Sequence, residues 1–279
     1  MPKIHPTAVL DGDIQLADDV EIGPLSVLRG RISIGAGTVL IQGVHLEGPL
    51  AIGSGNTLYP SVAIGFTPQD KGFARTKDGS GTIVGDGNVF REHATVHRAT
   101  RDDRPTRVGD RNYFMASAHV GHDVQVGNDC TFANATLLGG HVEVGDRVVT
   151  GGGSGIHQFC RVGRGAMIGG VVGMTKDICP FFTASAFNYI GGYNRVGMRR
   201  AGIPQPDIEM TRTIYGILVR SREIYSARVA RVAELAGHPI ADEFLAFIKA
   251  SKRGIATRHG RVTSARDTGG ALAGASSDE

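Results

Sequence analysis

The chain has no tryptophan, few aromatic residues and only three cysteines among 279 residues. Cys130, Cys160 and Cys179 are odd in number and lack a CxxC pair, which argues against a disulfide framework or a thiolate zinc site and fits a reducing cytoplasm. The N-terminus, Met1-Pro2-Lys3-Ile4-His5-Pro6, carries no apolar h-region. No later apolar stretch approaches the roughly 20 residues that cross a bilayer, so no membrane span is expected. A strong charge imbalance is missing too. The formal net charge is +3 without dense Lys/Arg clustering, which disfavours a dedicated nucleic-acid binder but suits an acidic partner or substrate.

Glycine is abundant, at 41 residues about twice its usual share, and implies repeated tight turns. Every sixth residue from Leu16 is aliphatic: Leu16, Ile22, Leu28, Ile34, Leu40, Leu46, Ile52, Leu58 and Ile64. Glycine often follows (Gly23, Gly35, Gly53, Gly65), and small or β-branched residues recur four places on, as at Val20, Ser26, Thr38 and Val44. A helix would space apolar residues by three and four and a simple strand by two, so a period of six matches neither alone. It fits a short strand and a turn, repeated so that three hexads close one triangular coil: a parallel β-helix.

The register breaks after Ile64-Gly65, where residues 66–81 are polar, charged and glycine-rich, and again over 98–107. It resumes from Val108 through Phe114, Val120, Val126, Phe132, Leu138, Val144, Thr150, Ile156, Val162, Ile168 and Met174, with Thr150 the single polar member. The pattern ends near Asp177-Ile178-Cys179-Pro180. Helical spacing follows from Pro206, then over Ser226 to Leu235 and Ile240 to Lys252. The expected organisation is a solenoid over 1–187 with loops near 66–83 and 98–107, a C-terminal α-helical region over 188–255, and a disordered tail over 256–279. The hexad form resembles the left-handed β-helix of the hexapeptide-repeat transferases, so the handedness rests on resemblance and only the coil on periodicity. Exposed flanks and open ends call for capping or association. By analogy, a prism with lateral faces suits a cyclic homotrimer.

Six of the ten histidines, His93, His97, His119, His122, His141 and His157, fall in one stretch of the solenoid. With about eighteen residues per coil, His122, His141 and His157 belong on one side of successive coils. His122 followed by Asp123 has the form of a general base with an orienting carboxylate. The ordinary alternative is a turn histidine beside a capping aspartate. A metal-dependent hydratase of the hexapeptide-repeat carbonic anhydrase type is a second alternative. The close pairs here are four (His93, His97) and three (His119, His122) residues apart, unlike the ligand spacing of those enzymes. Gly139-Gly140 offers backbone N–H groups for an oxyanion, although Gly139 also fits the repeat. Gln69-Asp70-Lys71 could meet a sugar or a phosphate.

The motifs Thr95-Val96-His97-Arg98, Ala118-His119-Val120-Gly121-His122-Asp123, Gly139-Gly140-His141-Val142 and Ile156-His157-Gln158-Phe159-Cys160 resemble those of the acyl-ACP:UDP-N-acetylglucosamine acyltransferases that begin lipid A biosynthesis. The likeness runs from Ile4 to Gly254. It implies that His122 is the general base, Asp123 its orienting partner and the Gly140 N–H the oxyanion donor. It further implies that Asp70, Lys71, His97, His119, His141, His157, Gln158, Asn194 and Arg200 bind substrate and that Gly170 gauges acyl length. Acyl carrier protein, UDP-N-acetylglucosamine or a related nucleotide sugar, and two further copies of the chain are the implied partners. No cofactor and no metal are implied. Two positions depart from the family pattern: Val196 stands where a glutamate is usual and Ala201 where an arginine is usual. A different nucleotide sugar, including one with a 3-amino acceptor, therefore stays open. Arg199, Arg200, Arg212, Arg220, Arg222, Lys249, Lys252 and Arg253 make the C-terminal region basic enough to meet an acidic carrier protein.

Overall fold

A computed structural model describes residues 1–74 and 78–257. Strands of two to five residues build three sheets of eleven, nine and eight members, and nearly every strand pairs in parallel with the third one along the chain. That connectivity is a three-sided parallel solenoid. Lys3 pairs with Glu21, Glu21 with Val39 and Val39 with Thr57, a step of 18 residues, or three hexads, per coil.

Two steps depart from this rule. Thr57 pairs with Val89, fourteen residues more than a coil needs, and Val89 with Tyr113, six more. The surplus leaves the prism between Phe66 and Thr82 and between His97 and Thr106, where the hexad register breaks. The coils on either side stay in register, because an extruded loop changes the chain length of a corner and leaves the stacked strands untouched.

The hexad residues stack inside. From Ile22 to Ile64 and from Val108 to Met174 all of them are buried; Leu16, in the first coil, is only partly covered because no strand lies beneath it. Phe90, Phe114 and Phe132 stack in successive coils with ring centroids 4.7 and 4.8 Å apart. Thr150 is tolerated in this column because its hydroxyl meets that of Thr136 at 2.7 Å. A second interior column is polar: the Asn88 amide donates to Asn56 Oδ1 and that of Asn112 to Asn88 Oδ1, each at 3.0 Å. Cys130 takes the next rung, with its N–H on Asn112 Oδ1 and its thiol on the Gly145 carbonyl. Burial pushes that thiol up to about 12, so it serves as a structural group and not a nucleophile.

The ladder does not stop at Pro180. Phe182–Ala186 joins the eleven-stranded sheet in parallel, and Tyr189–Tyr193 folds back on it antiparallel, so the expected boundary at 187/188 falls in the turn of a hairpin. Four helices follow: α1 (Arg195–Arg200), α2 (Gln205–Tyr215), α3 (Tyr225–Ala233) and α4 (Pro239–Lys249). A π-helical turn, Gly216–Arg220, continues α2, and the buried Arg228 donates to its Leu218 carbonyl. The spacing anticipated α2, α3 and α4 but neither α1 nor the hairpin. Phe244 of α4 and Tyr215 of α2 pack on Phe182 with centroids 5.2 and 5.7 Å away, which closes the end of the prism. Arg164 makes two hydrogen bonds to Glu243 of α4, at 2.6 and 2.8 Å, and Arg161 lies over the Phe247 ring.

The tail expected from residue 256 is corrected at its start. Ala256 donates to the Asp177 carbonyl and Thr257 bridges to Tyr189, so both belong to the ordered cap; the remainder, 258–279, lies outside the described residues. Among the described residues no helix is long and apolar enough to cross a membrane.

Candidate active site

The prism has three corners, and chemistry gathers at the one between the nine- and eight-stranded sheets. His122 and Asp123 sit there between the strands His119–Val120 and Gln125–Val126. His122 Nδ1 is 2.7 Å from Asp123 Oδ2. Asp123 is buried and also accepts from the Thr100 hydroxyl at 2.7 Å and from the Thr100 and Arg101 backbone N–H groups at 3.1 and 3.3 Å. Burial alone would push this carboxyl up. The hydrogen bonds from His122 and Thr100 outweigh it and hold the group at about 2. An ionised carboxylate only accepts, so Nδ1 is the donor and the His122 lone pair lies on Nε2.

One coil further, Gly140 lies against that ring. A Cβ on Gly140 would stand 2.6 Å from His122 Cε1 and Nε2, so only glycine leaves the imidazole its place. Among the described residues no carbonyl accepts from the Gly140 N–H, which leaves this donor free next to the histidine. The neighbouring Gly139 has a different reason to be glycine: its Cβ would meet Gln158 N at 2.7 Å, a packing constraint of the repeat. His141 stands edge-on to His122, with centroids 5.1 Å apart, and stacks on Phe159 at 4.5 Å.

A cleft of about 350 Å³ opens beside these groups, lined by Gln69, His97, His119, Gly121, His122, Gly139, Gly140, His157 and Gln158. His97, His119, His122 and His157 line this cleft, and His141 stands behind them against His122. His93 is apart from them, in the turn between the Val89–Phe90 and Thr95–His97 strands at another corner. His97 Nδ1 is 2.7 Å from the Thr67 carbonyl, so this nitrogen donates and Nε2 is the acceptor. His119 Nδ1 meets the Thr95 hydroxyl at 2.8 Å. Burial, with His97 and His122 adding to it, pushes His119 down to about 4. Burial also lowers His97 and His141, against the Thr67 carbonyl in one and Asp123 in the other. These three rings are neutral near pH 7 and present polar edges without charge.

The remaining expected residues are dispersed. Asp70 and Lys71 are exposed on the first loop, with Asp70 Oδ1 accepting from the Gly72 N–H, and Gln69 is the member of that triplet that reaches the cleft. Gly170 lies at the corner between the eleven- and nine-stranded sheets, where a Cβ would meet the Gly152 carbonyl at 3.4 Å. Asn194 and Arg200 line a larger cleft of about 850 Å³ with Asp129, Arg147, Arg164, Met167, Val196 and Ala201. Asn194 caps α1 by accepting from the Gly197 N–H and donates to the Gly165 carbonyl. This second cleft adjoins the third corner and stays separate from His122 within one chain.

Sequence reasoning missed Thr100, Thr67 and Phe159 as neighbours of the histidines. Only the break in the hexads after His97 hinted that Thr100 leaves the regular coil.

One atom each from His122, Asp123 and His141 lie within 4.8 Å of one another, the minimum for a metal site. The donor set fits a metal poorly. Both Asp123 oxygens already accept protein hydrogen bonds, and an ion on Oδ2 would displace either His122 or the Thr100 hydroxyl.

The sequence profile described as UDP-N-acetylglucosamine O-acyltransferase, domain 2, matches residues 177–256. Over 255 residues the chain is 41% identical to the acyl-(acyl-carrier-protein)–UDP-N-acetylglucosamine O-acyltransferase of Anaeromyxobacter sp. (strain K), covering 90% of this chain and 98% of that one. The crystal structure of the Francisella novicida UDP-N-acetylglucosamine acyltransferase superimposes with a TM-score of 0.87 at 30% identity, over 91% of this chain and 94% of that one. The Moraxella catarrhalis UDP-N-acetylglucosamine O-acyltransferase gives 0.85 at 34% identity, over 91% and 99%. The likeness thus runs along nearly the whole chain, which belongs to the UDP-N-acetylglucosamine O-acyltransferase family.

Proposed function

We propose that the protein transfers a (3-hydroxy)acyl chain from acyl carrier protein to the 3-hydroxyl of UDP-N-acetylglucosamine, the first step of lipid A biosynthesis. The observation that carries the chemistry is the 2.7 Å contact from His122 to an ionised Asp123, which leaves the Nε2 lone pair beside the free Gly140 N–H. In the reading offered here, Nε2 takes the proton as the sugar oxygen attacks the thioester carbonyl. The developing oxyanion accepts from the Gly140 N–H. The C–S bond then breaks, and the proton on His122 passes to the departing thiolate. Asp123 stays ionised throughout and stabilises the imidazolium. No acyl-enzyme is needed, and all three cysteine thiols are buried and held well above the usual range by that burial.

The neutral His97, His119 and His141, with His157 and Gln158, position substrate in the cleft. Asp70 and Lys71 contribute to binding from the first loop, and Gly170 leaves room for a long acyl chain. Asn194 and Arg200 reach the same substrate only from a neighbouring copy, because one chain keeps the two clefts apart. That separation supports a homotrimer, as do the exposed Val149 and Met167 beside the larger cleft. Arg147, Arg195 and Arg200 there suit an acidic carrier protein or a diphosphate. The free thiols fit a cytoplasmic enzyme. A related nucleotide sugar is the second reading, favoured by Val196 and Ala201, which leave apolar groups in the cleft with Asn194 and Arg200.

The test is mass spectrometry of products after incubation with a mixed pool of acyl carrier protein thioesters and UDP-N-acetylglucosamine. An acylated UDP-sugar that vanishes with His122→Ala is expected. No product from any UDP-sugar would defeat the reading.

A further inference from the structure

Asp123 owes its fixed position to a part of the chain that a regular coil would not contain. The corner residues one and two coils further on, His141 and Phe159, share its left-handed backbone conformation, yet among the described residues no inserted segment donates to either side chain. Of these three corner residues it is Asp123 that faces the six extra residues between His97 and Thr106. From these it receives the Thr100 hydroxyl at 2.7 Å and the Thr100 and Arg101 N–H groups, while its own N–H donates to Thr106 Oγ1 at 2.8 Å. With His122 on the same carboxylate, Asp123 is held from the inserted segment on one side and by the imidazole on the other.

The inserted segment is in turn clamped by the first loop. Ser80 N and Ser80 Oγ both donate to the Arg101 carbonyl at 2.7 Å, and the Ala99 and Thr106 N–H groups both donate to the Gly81 carbonyl. The buried Arg98 pairs with Glu47 at 2.7 Å and donates to the Gly65 carbonyl, which anchors the base of both loops to the preceding coil. Hydrogen bonds thus run from Ser80 to Arg101, and from Arg101 and its chain neighbour Thr100 to Asp123 and on to His122. The loop at its start also carries Gln69 into the cleft.

We propose that Thr100 is a positioning residue for the His122–Asp123 pair, held by the contact between the two extruded loops. Its hydroxyl and N–H fix the rotation of the carboxylate so that Oδ2 faces His122 Nδ1. That contact holds the imidazole in the tautomer with a free Nε2 lone pair. Without the hydroxyl, the carboxylate swings on its remaining backbone donors and the ring spends part of its time with the proton on Nε2, where it is no base. This inference rests on the reading of His122 as the base.

The experiment measures kcat and KM for both substrates in Thr100→Val, Thr100→Ser, His122→Ala and the Thr100→Val/His122→Ala double variant. Thr100→Val should lower kcat about tenfold or more, the scale of one lost hydrogen bond to a charged group, with KM within about twofold. Serine keeps the donor and should return kcat to within about threefold of the parent. In the His122→Ala background the valine change should add nothing, since the two residues act as one unit. A silent Thr100→Val, a loss confined to KM, or an equal loss with and without His122 overturns the positioning role while a strongly impaired His122→Ala leaves the base reading intact. A His122→Ala enzyme within about tenfold of the parent defeats the base reading itself, and this inference with it. Should Thr100→Val not fold, Ser80→Ala decides: kcat should fall about two- to fivefold at constant KM, and an unchanged kcat overturns the proposal.

Discussion

The coils from Lys3 to Ile64 and those from Thr82 to Ile168 are alike inside and different outside. Both stack buried hexad residues at the same rungs, Leu40 and Leu58 continuing into Phe90, Phe114 and Phe132. At the corner between the nine- and eight-stranded sheets, the early coils connect their strands with only Gly12-Asp13, Gly30-Arg31 or Gly48-Pro49. The coils from His119 on use four residues there, as from Gly121 to Val124 and from Gly139 to Val142. A two-residue corner turns the chain with room for a single non-glycine side chain, such as the exposed Asp13 or Arg31. The four-residue corner has room for His122, Asp123, Gly140 and His141. On the proposed assignment, the scaffold's stability and its chemistry are carried by different residues, and variants should separate them.

The sharpest separation is expected at His122. His122→Ala should lower kcat by about 10²–10⁴-fold, the usual share of general acid–base catalysis, with an unchanged melting temperature. A loss under about tenfold in steady-state kinetics would remove His122 from the role. Gly140→Ala comes next, because its Cβ would stand 2.6 Å from the imidazole. Displacing the ring by a fraction of an ångström should cost on the order of 10²-fold in kcat, and a normal rate would show that the ring has another place to go.

In the early coils the opposite pattern is expected. Leu28→Ala empties a fully buried site and should cost about 2–5 kcal/mol in urea unfolding, with kcat per folded molecule unchanged. A comparable loss of rate would mean that the two regions are coupled and the comparison is wrong.

The smallest effect concerns acid stability. His119 is pushed from the ordinary 6.5 down to about 4 in the folded chain. The unfolded chain therefore takes up a proton first as pH falls, so the stability associated with a neutral His119 is complete above about pH 6.5 and is lost progressively towards pH 4. Urea midpoints at pH 7 and pH 5 should converge in His119→Asn relative to the parent. An identical pH dependence in both proteins would show that His119 is not held neutral by burial.

Hexad periodicity already marked the buried ladder, and breaks in that periodicity marked both extruded loops. The adjacency of His122 and Asp123, and the eighteen-residue coil that stacks His141 beside them, marked the corner to which we assign the chemistry. Thr100 escaped notice because it is 23 residues from Asp123 and meets it only when six surplus residues fold back. The separation of Asn194 and Arg200 from His122 escaped notice for a similar reason. Their place depends on the Phe182–Ala186 and Tyr189–Tyr193 hairpin, whose strands continue a sheet after the hexads have ended.

What the sequence by itself determined is the coil, because a parallel ladder needs an apolar residue at each rung and a turn after each short strand. Any chain that meets this condition eighteen residues per coil stacks the same way. Only the tertiary structure decided how Asp123 is held ionised, which His122 nitrogen is free, and which side chains share a cleft. Those properties arise where loops of irregular length pack against a regular surface. No periodic rule covers such contacts, and a hydrogen bond of 2.7 Å depends on backbone positions drawn from several coils at once.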